Sequence, residues 1–325
     1  MEKDHNKILS TILNNKNYKI KRVKGDASKR KFYNISTGKN KYILMDSSNE
    51  TLSFKRYMKF SSIFNENSIN IPRINHINKK NQLVLMEDLN DNLIFSKLKE
   101  NNIFDIYKKA VENIIKIQSI RKKNISNYTE KKYYNESILF KDWLLDKFLG
   151  VCLSNNDSKK LINELSFLIS EILKCKTSLV HRDYHSKNIF YYKKSIYIID
   201  YQDALIGSNY YDLVSLLKDC YVTLTDKNIK KLFSYFYDCN DNDDLSYDES
   251  LYQFNLVGVQ RHMKASGIFA RLSKRDKKDN YIKYLPRTLN YILSVTKLSK
   301  KFKIINNLVD DALYYLNESN NTSSR

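Results

Sequence analysis

The sequence predicts an α+β chain of two lobes, a small antiparallel-sheet lobe over residues 1–89 and a mainly helical lobe over residues 90–325. Three observations carry this reading. Short extended segments separated by Gly- and Asn-containing turns crowd into the first lobe. Apolar residues at three-and-four spacing dominate the second. With 42% hydrophobic and 13% aromatic residues, the 325-residue chain has enough apolar material to bury a sizeable core.

In chain order, a short helix is expected around Lys7–Asn14, then strands over Tyr18–Val23, Lys31–Ser36 and Lys41–Met45, with turns at Gly25-Asp26 and Gly38-Lys39-Asn40. Leu52, Tyr57, Phe60, Ile63 and Phe64 form a stripe that predicts a helix over Glu50–Asn65, capped by Ser48/Asn49. Strands over Arg73–Asn78, behind Pro72, and Gln82–Glu87 complete the sheet. Ile103, Ile106, Tyr107, Ala110, Ile114 and Ile117 then line one face of a long helix, and similar stripes recur over Ser137–Leu153 and Ser158–Leu173. A pair of short apolar strands, Ile189–Tyr192 and Ser195–Ile199, interrupts the helices and is bracketed by polar runs, the mark of a site. Helices resume from Tyr210, broken by an acidic, solvated connection over Asp238–Glu249.

The chain carries 56 Lys+Arg against 36 Asp+Glu, a formal charge of +20. Such charge suits nucleic acid, whose phosphates release counterions to cations. Here the basic residues are dispersed, and Lys, Asn, Ile and Tyr are abundant beside only 6 Gly and 2 Pro, as AT-rich codon usage produces. Nucleic acid is therefore not the expected partner. No run approaches the roughly 18 apolar residues of a membrane span, and MEKDHNKILS lacks the apolar core of a signal peptide, so a cytoplasmic protein is expected. Cys152, Cys175, Cys220 and Cys239 form no CxxC pair and read as small buried hydrophobes.

The chemistry concentrates in Leu179-Val180-His181-Arg182-Asp183-Tyr184-His185-Ser186-Lys187-Asn188-Ile189 and Ile198-Ile199-Asp200-Tyr201-Gln202-Asp203. Asp183, Asn188 and Asp200 carry side-chain oxygens at the ends of short apolar segments, where a hairpin would gather them. Phosphoryl transfer needs such a set. One carboxylate orients and deprotonates the attacking hydroxyl, while an amide oxygen and a second carboxylate hold Mg²⁺, a hard cation. Asp, then Asn five positions on, then Asp beyond a hairpin is the order of kinase catalytic and metal loops. Gly25-Asp26-Ala27-Ser28 joins two strands with small residues, so backbone N–H groups can approach phosphate oxygens; an ordinary hairpin turn is the alternative. Neither GxGxxG nor GxxxxGK[ST] occurs.

The HxDxxxxN run of His181, Asp183 and Asn188, with Asp200, resembles the Brenner motif and metal aspartate of the aminoglycoside phosphotransferase and choline kinase superfamily. GDASKRKFY, MEDL, IDYQDALIG, YDLVSLLKDCY and QRHMKASGIFARL are together similar to the bacterial anomeric N-acetylmuramate/N-acetylglucosamine kinases of cell-wall recycling. The resemblance implies a bilobal protein-kinase-like fold with its active site between the lobes, ATP and Mg²⁺ as cofactors, and an amino-sugar acceptor. Asp183 is then the catalytic base, and Asn188 and Asp200 the metal ligands. Gly25, Asp26, Ala27 and Ser28 cover the phosphates, and Met86, Glu87 and Leu89 present backbone groups to the adenine edge. His185, Gln202, Asp203, Arg261, His262 and Arg271 are candidates for the acceptor, His185 being equally open to loop packing. An arginine would suit the lactyl carboxylate of N-acetylmuramate. His181 is expected to brace the loop, and Asp212 to anchor the lobe. The departure lies in the third strand, whose inward end carries no lysine; Lys41, Lys29, Arg30 and Lys31 are the nearest cations. Other small alcohols (aminoglycosides, choline, homoserine) and a non-catalytic nucleotide- or RNA-binding role remain open at this level.

Overall fold

The computed structural model describes residues 8–13, 17–23, 30–38, 40–99, 101–121, 123–240 and 245–322. The loop Gly25–Ser28 lies outside them, as do Lys39 and the acidic residues 241–244. Backbone contacts divide the chain into two compact units, Met1–Lys97 with Asn188–Asp203 and Leu98–Lys187 with Ala204–Arg325.

The first unit holds a five-stranded antiparallel sheet of β1 (Lys19–Val23), β2 (Lys31–Thr37), β3 (Asn40–Asp46), β4 (Ile74–Asn78) and β5 (Leu83–Glu87), ordered β1-β2-β3-β5-β4. Alternation gives each face its own core. Tyr33, Leu44 and Leu85 are register partners and pack with Ile35, Leu83 and Leu9, the last from a helical turn over 8–12. Met45, Val84 and Met86 take the opposite face, where Tyr57 of helix α1 (Thr51–Glu66) bonds Met86 through its hydroxyl. Two details of α1 differ from expectation. Leu52 is 73% exposed while Phe54 is buried, because the stripe begins two residues later than the spacing implies. The N-cap is Glu50, without a side-chain cap bond, because Asp46 takes the Ser48 N–H at 2.9 Å and turns the chain first.

The hairpin β7 (Ile189–Tyr192) and β8 (Ser195–Ile198) belongs to this unit. The Tyr191 N–H donates to Asn92 O and the Ile198 N–H to Asn70 O, so its edges are satisfied by first-unit backbone. Its two-residue turn, Lys193-Lys194, has both residues at positive φ (+49° and +62°), as a tight hairpin matching strand twist requires.

The second unit is helical: α3 (Ile103–Ser119), α4 (Glu130–Ser137), α5 (Asn155–Ile172), α6 (Tyr211–Leu217), α7 (Asp226–Cys239), α8 (Tyr247–Asp276), α9 (Leu285–Thr296) and α10 (Lys303–Thr322), with the four-residue α2 (Ile94–Lys97) preceding them in the first unit. A two-stranded sheet of β6 (Thr177–Val180) and β9 (Leu205–Ser208), absent from the sequence reading, frames the polar run 181–188. The helix expected over Ser137–Leu153 is broken: α4 ends at Ser137 and a π-helix, Phe140–Leu149, follows, closed by Gly150 at φ +73°. Here α8 presses closest, since a Cβ on Gly267 would lie 2.3 Å from the Leu139 backbone. Ser246 and Glu249 form a reciprocal capping box that starts α8, so the acidic connection ends as a helix signal. Cys175 and Cys220 are buried, but Cys152 and Cys239 are exposed, the latter closing α7 where its apolar stripe has ended. Among the described residues, no helix is long and apolar enough to cross a membrane.

Candidate active site

In the second unit, the chain leaves β6 into a loop whose backbone is held by two fully buried aspartates. Asp212 accepts the His181 N–H at 2.6 Å and the Arg182 N–H at 2.9 Å, one on each oxygen. Asp219 accepts the Ser186 N–H at 2.8 Å and the Tyr221 N–H at 2.7 Å. Burial pushes both carboxyls above the usual range, and the donated N–H groups oppose the shift. His181 Nδ1 accepts the Asp183 N–H at 3.3 Å, and the Tyr184 hydroxyl donates to Ala110 O at 2.9 Å. Thus clamped, Arg182 sits at φ +77°, a conformation that costs about 1–3 kcal/mol for a non-glycine residue and persists only where its surroundings enforce it.

Burial raises the Asp183 carboxyl, but the Lys264 and Arg182 cations oppose it most strongly and the group is held well below the ordinary carboxylate range. Those cations are themselves fixed by a buried carboxylate, since Glu136 takes Arg182 Nη2 at 2.5 Å and Lys264 Nζ at 3.2 Å. The surrounding cations therefore favour the ionised form of Asp183. The His185 ring stands edge-on to Tyr221 with centroids 5.0 Å apart, and its Nδ1 is buried without a hydrogen-bond partner among the described residues. Burial lowers its pKa from 6.5 to about 3, so the ring is neutral. Lys187 lies over the Tyr221 ring at 4.2 Å, with Tyr281 and Tyr284 each at 5.2 Å.

In the first unit, Ile189 pairs with Ile198 and the Ile199 N–H donates to Asn188 O at 3.1 Å, so Asn188 and Asp200 stand at the same open end of the hairpin. Asp200 is at φ +64°. Tyr201 anchors it from behind: its ring stacks on Tyr57 at 4.9 Å, meets Phe64 edge-on at 5.4 Å, and its hydroxyl bonds Ser61 Oγ at 2.9 Å. The Asp200 side chain is 38% exposed, whereas the arginine paired with it, Arg30, is 4% exposed. Arg30 binds Asp200 Oδ1 through Nη2 and donates from Nη1 to Gln202 Oε1 at 2.8 Å. Gln202 Nε2 in turn reaches Asp200 Oδ1 at 3.2 Å and Asp203 Oδ2 at 3.3 Å, and Arg56 pairs with Asp203 at 3.3 Å. The donor chemistry of Asn188 and Asp200, an amide and a carboxylate oxygen on one hairpin end, fits Mg²⁺, which takes few protein ligands and completes its shell with phosphate and water.

The remaining sequence candidates fall elsewhere. Met86 is buried beneath Tyr57 at the end of β5; the Glu87 N–H is taken by Arg73 O, and Leu89 O accepts Asn92 Nδ2 at 2.6 Å. Arg261, His262 and Arg271 all lie on α8. Arg261 is buried, with Nε on Ser215 Oγ at 2.5 Å, and the His262 ring is held between Lys218 O and Gly258 O at 2.8 and 2.6 Å. Arg271 is half-buried, and its Nε is enclosed without a partner among the described residues.

A model of the phosphotransferase enzyme family matches residues 19–237. The chain belongs to that family. Two similar proteins are each named N-acetylmuramate/N-acetylglucosamine kinase: one from Neisseria meningitidis, 26% identical over 93% of this chain and 94% of its own, and one from Pseudomonas aeruginosa, 27% identical over 82% and 80%. Among solved structures, the ADP-bound aminoglycoside phosphotransferase APH(2'')-Ib superposes with a TM-score of 0.62 at 14% identity, covering 90% of this phosphotransferase and 97% of that chain. The choline kinase LicA from Streptococcus pneumoniae gives 0.64 at 13%, covering 90% and 99%. The fold is thus that of the protein-kinase-like phosphotransferases.

Sequence reasoning missed Asp219, Glu136 and Lys264, which fix the Asp183 loop. Asp219 lies seven residues after Asp212 in the sequence, just past the end of α6. Glu136 and Lys264 left no local signal, because their link is a packing contact between α4 and α8.

Proposed function

We propose that this phosphotransferase moves the γ-phosphoryl group of ATP to the anomeric hydroxyl of N-acetylmuramate or N-acetylglucosamine, in the cytoplasm where ATP is available. The observation that carries the reading is the match over 93% of this chain and 94% of the Neisseria meningitidis protein of that name. Asp183 accepts a hydrogen bond from the acceptor hydroxyl and takes its proton late. A carboxylate held so acidic is a weak base, which suits a loose transition state in which positioning counts for more than basicity. Asn188 and Asp200 hold Mg²⁺, which neutralises phosphate charge when bound. The lobe over residues 1–89 covers the nucleotide, with Gly25, Asp26, Ala27 and Ser28 over the phosphates and Met86, Glu87 and Leu89 at the adenine edge. On the acceptor side, His185, Asp203, Arg261, His262 and Arg271 are the candidates, His185 being equally open to loop packing.

The test is ADP release measured with N-acetylmuramate, N-acetylglucosamine, choline, homoserine and an aminoglycoside. The reading expects kcat/KM for an amino sugar to exceed the others by roughly a hundredfold or more. A larger value for choline or the aminoglycoside overturns it.

A further inference from the structure

The third strand of this fold has no lysine at its inward end, where Leu44, Met45 and Asp46 are buried. Lys41 does not supply it. It is exposed and sits four residues before Met45, roughly 13 Å along a strand. Yet a cation does reach this end of the sheet. Arg30 immediately precedes β2, and the register Lys31↔Asp46 sets it beside the inward end of β3. Its guanidinium passes Met45 Sδ at 3.9 Å and ends on Asp200 and Gln202.

We infer that Arg30 is a positioning residue for the nucleotide's metal, the cation of this lobe delivered from the start of the second strand instead of from within the third. The inference rests on the assignment of Asp200 as a metal ligand. Three observations support it. A 4% exposed guanidinium has lost nearly all its hydration, so the side chains it binds are its replacement for water and its position is fixed by them. It grips the two residues through different nitrogens, a fork that a lysine's single ammonium cannot make. And Asp200 stands at φ +64°, where the fork, with the Tyr201 anchor, holds it against the backbone's preference. Gln202, raised by the sequence as an acceptor contact, belongs in this arrangement: it links Arg30, Asp200 and Asp203 in one chain of bonds.

An opposite role is chemically available to the same contact. Arg30 would be a stand-in cation that competes with Mg²⁺ for Asp200. The two roles differ in sign, so affinity for a non-hydrolysable ATP analogue, measured by calorimetry with and without Mg²⁺, separates them without any turnover. Expected for Arg30→Ala is a loss of roughly 10- to 100-fold in the Mg²⁺-dependent part of that affinity, the scale of a lost charge-assisted bond. Arg30→Lys should recover part of it, and KM for the acceptor should stay within about twofold while kcat falls. A tighter Mg²⁺-nucleotide complex in Arg30→Ala, or one unchanged within about twofold, overturns the inference. Should Arg30→Ala fail to fold, Gln202→Met removes one arm of the fork and keeps the charge. A drop of about threefold or more is then expected, and no change overturns the inference. Calorimetry needs no acceptor, so failure of the amino-sugar reading would leave this test standing.

Discussion

The loop that carries Asp183 and the loop that carries Asp200 use the same first device and then diverge. Each aspartate is followed by a tyrosine sunk into its own unit, Tyr184 onto Ala110 and Tyr201 into the aromatic face of α1. Beyond that anchor, the Asp183 loop is fixed through its backbone, by three N–H groups on two buried carboxylates. The Asp200 loop is fixed through side chains, chiefly the Arg30 fork. Backbone anchoring holds the loop in place, which suits the catalytic role proposed for Asp183. Side-chain anchoring can be exchanged, which suits the metal-binding role proposed for Asp200.

The largest effect that sharpens this contrast is expected from Asp183→Asn. Turnover should fall roughly 10²- to 10⁴-fold, while calorimetric ATP affinity stays within about threefold. Turnover within tenfold of wild type would remove Asp183 from the chemistry. Next comes Asp212→Ala, which leaves two N–H groups buried without acceptors and should cost about 2–4 kcal/mol of unfolding free energy in urea. The mirror change in the other loop, Tyr201→Phe, removes one hydroxyl bond to Ser61 and should cost only about 1 kcal/mol. If Tyr201→Phe proves the more damaging of the pair, the contrast between backbone and side-chain anchoring is wrong.

Between these two in size is a pH effect at His185. Its folded pKa, about 3, lies below its ordinary 6.5, so between those values the unfolded chain binds a proton that the native one does not. The contribution is fully present above about pH 6.5 and is lost as the pH falls, at up to about 1.4 kcal/mol per pH unit. From pH 7 to pH 5, wild type should therefore lose up to about 2 kcal/mol more than His185→Gln in urea denaturation. Equal losses would mean that His185 is charged or solvated in the native loop.

Much of this was legible in the sequence, for definite reasons. The five strands of the first sheet, the hairpin at Lys193-Lys194 and α3 follow from alternation and three-and-four spacing, which burial of one face imposes locally. Asp183, Asn188 and Asp200 stand out as candidates in the sequence because their order, Asp, then Asn five positions on, then Asp beyond a hairpin, is that of kinase loops. What sequence spacing did not reveal was what holds them. Arg30 stood among four cations of equal standing until the β2–β3 register placed it beside Met45 and Asp46. The π-helix after Ser137 was read as a continuous α-helix, because its departure comes from the close approach of Gly267 on a helix more than a hundred residues later. Cys152 and Cys239 were read as buried from neighbouring apolar stripes, and each lies just where its stripe has run out.

The account's central claim is tested most directly by ³¹P NMR of the protein with ATP, Mg²⁺ and N-acetylmuramate, run beside the Asp183→Asn variant. The account predicts a phosphate resonance coupled to the anomeric proton of the sugar, growing with wild type and missing with the variant. Phosphate on another hydroxyl, or an equal signal from both proteins, would contradict it.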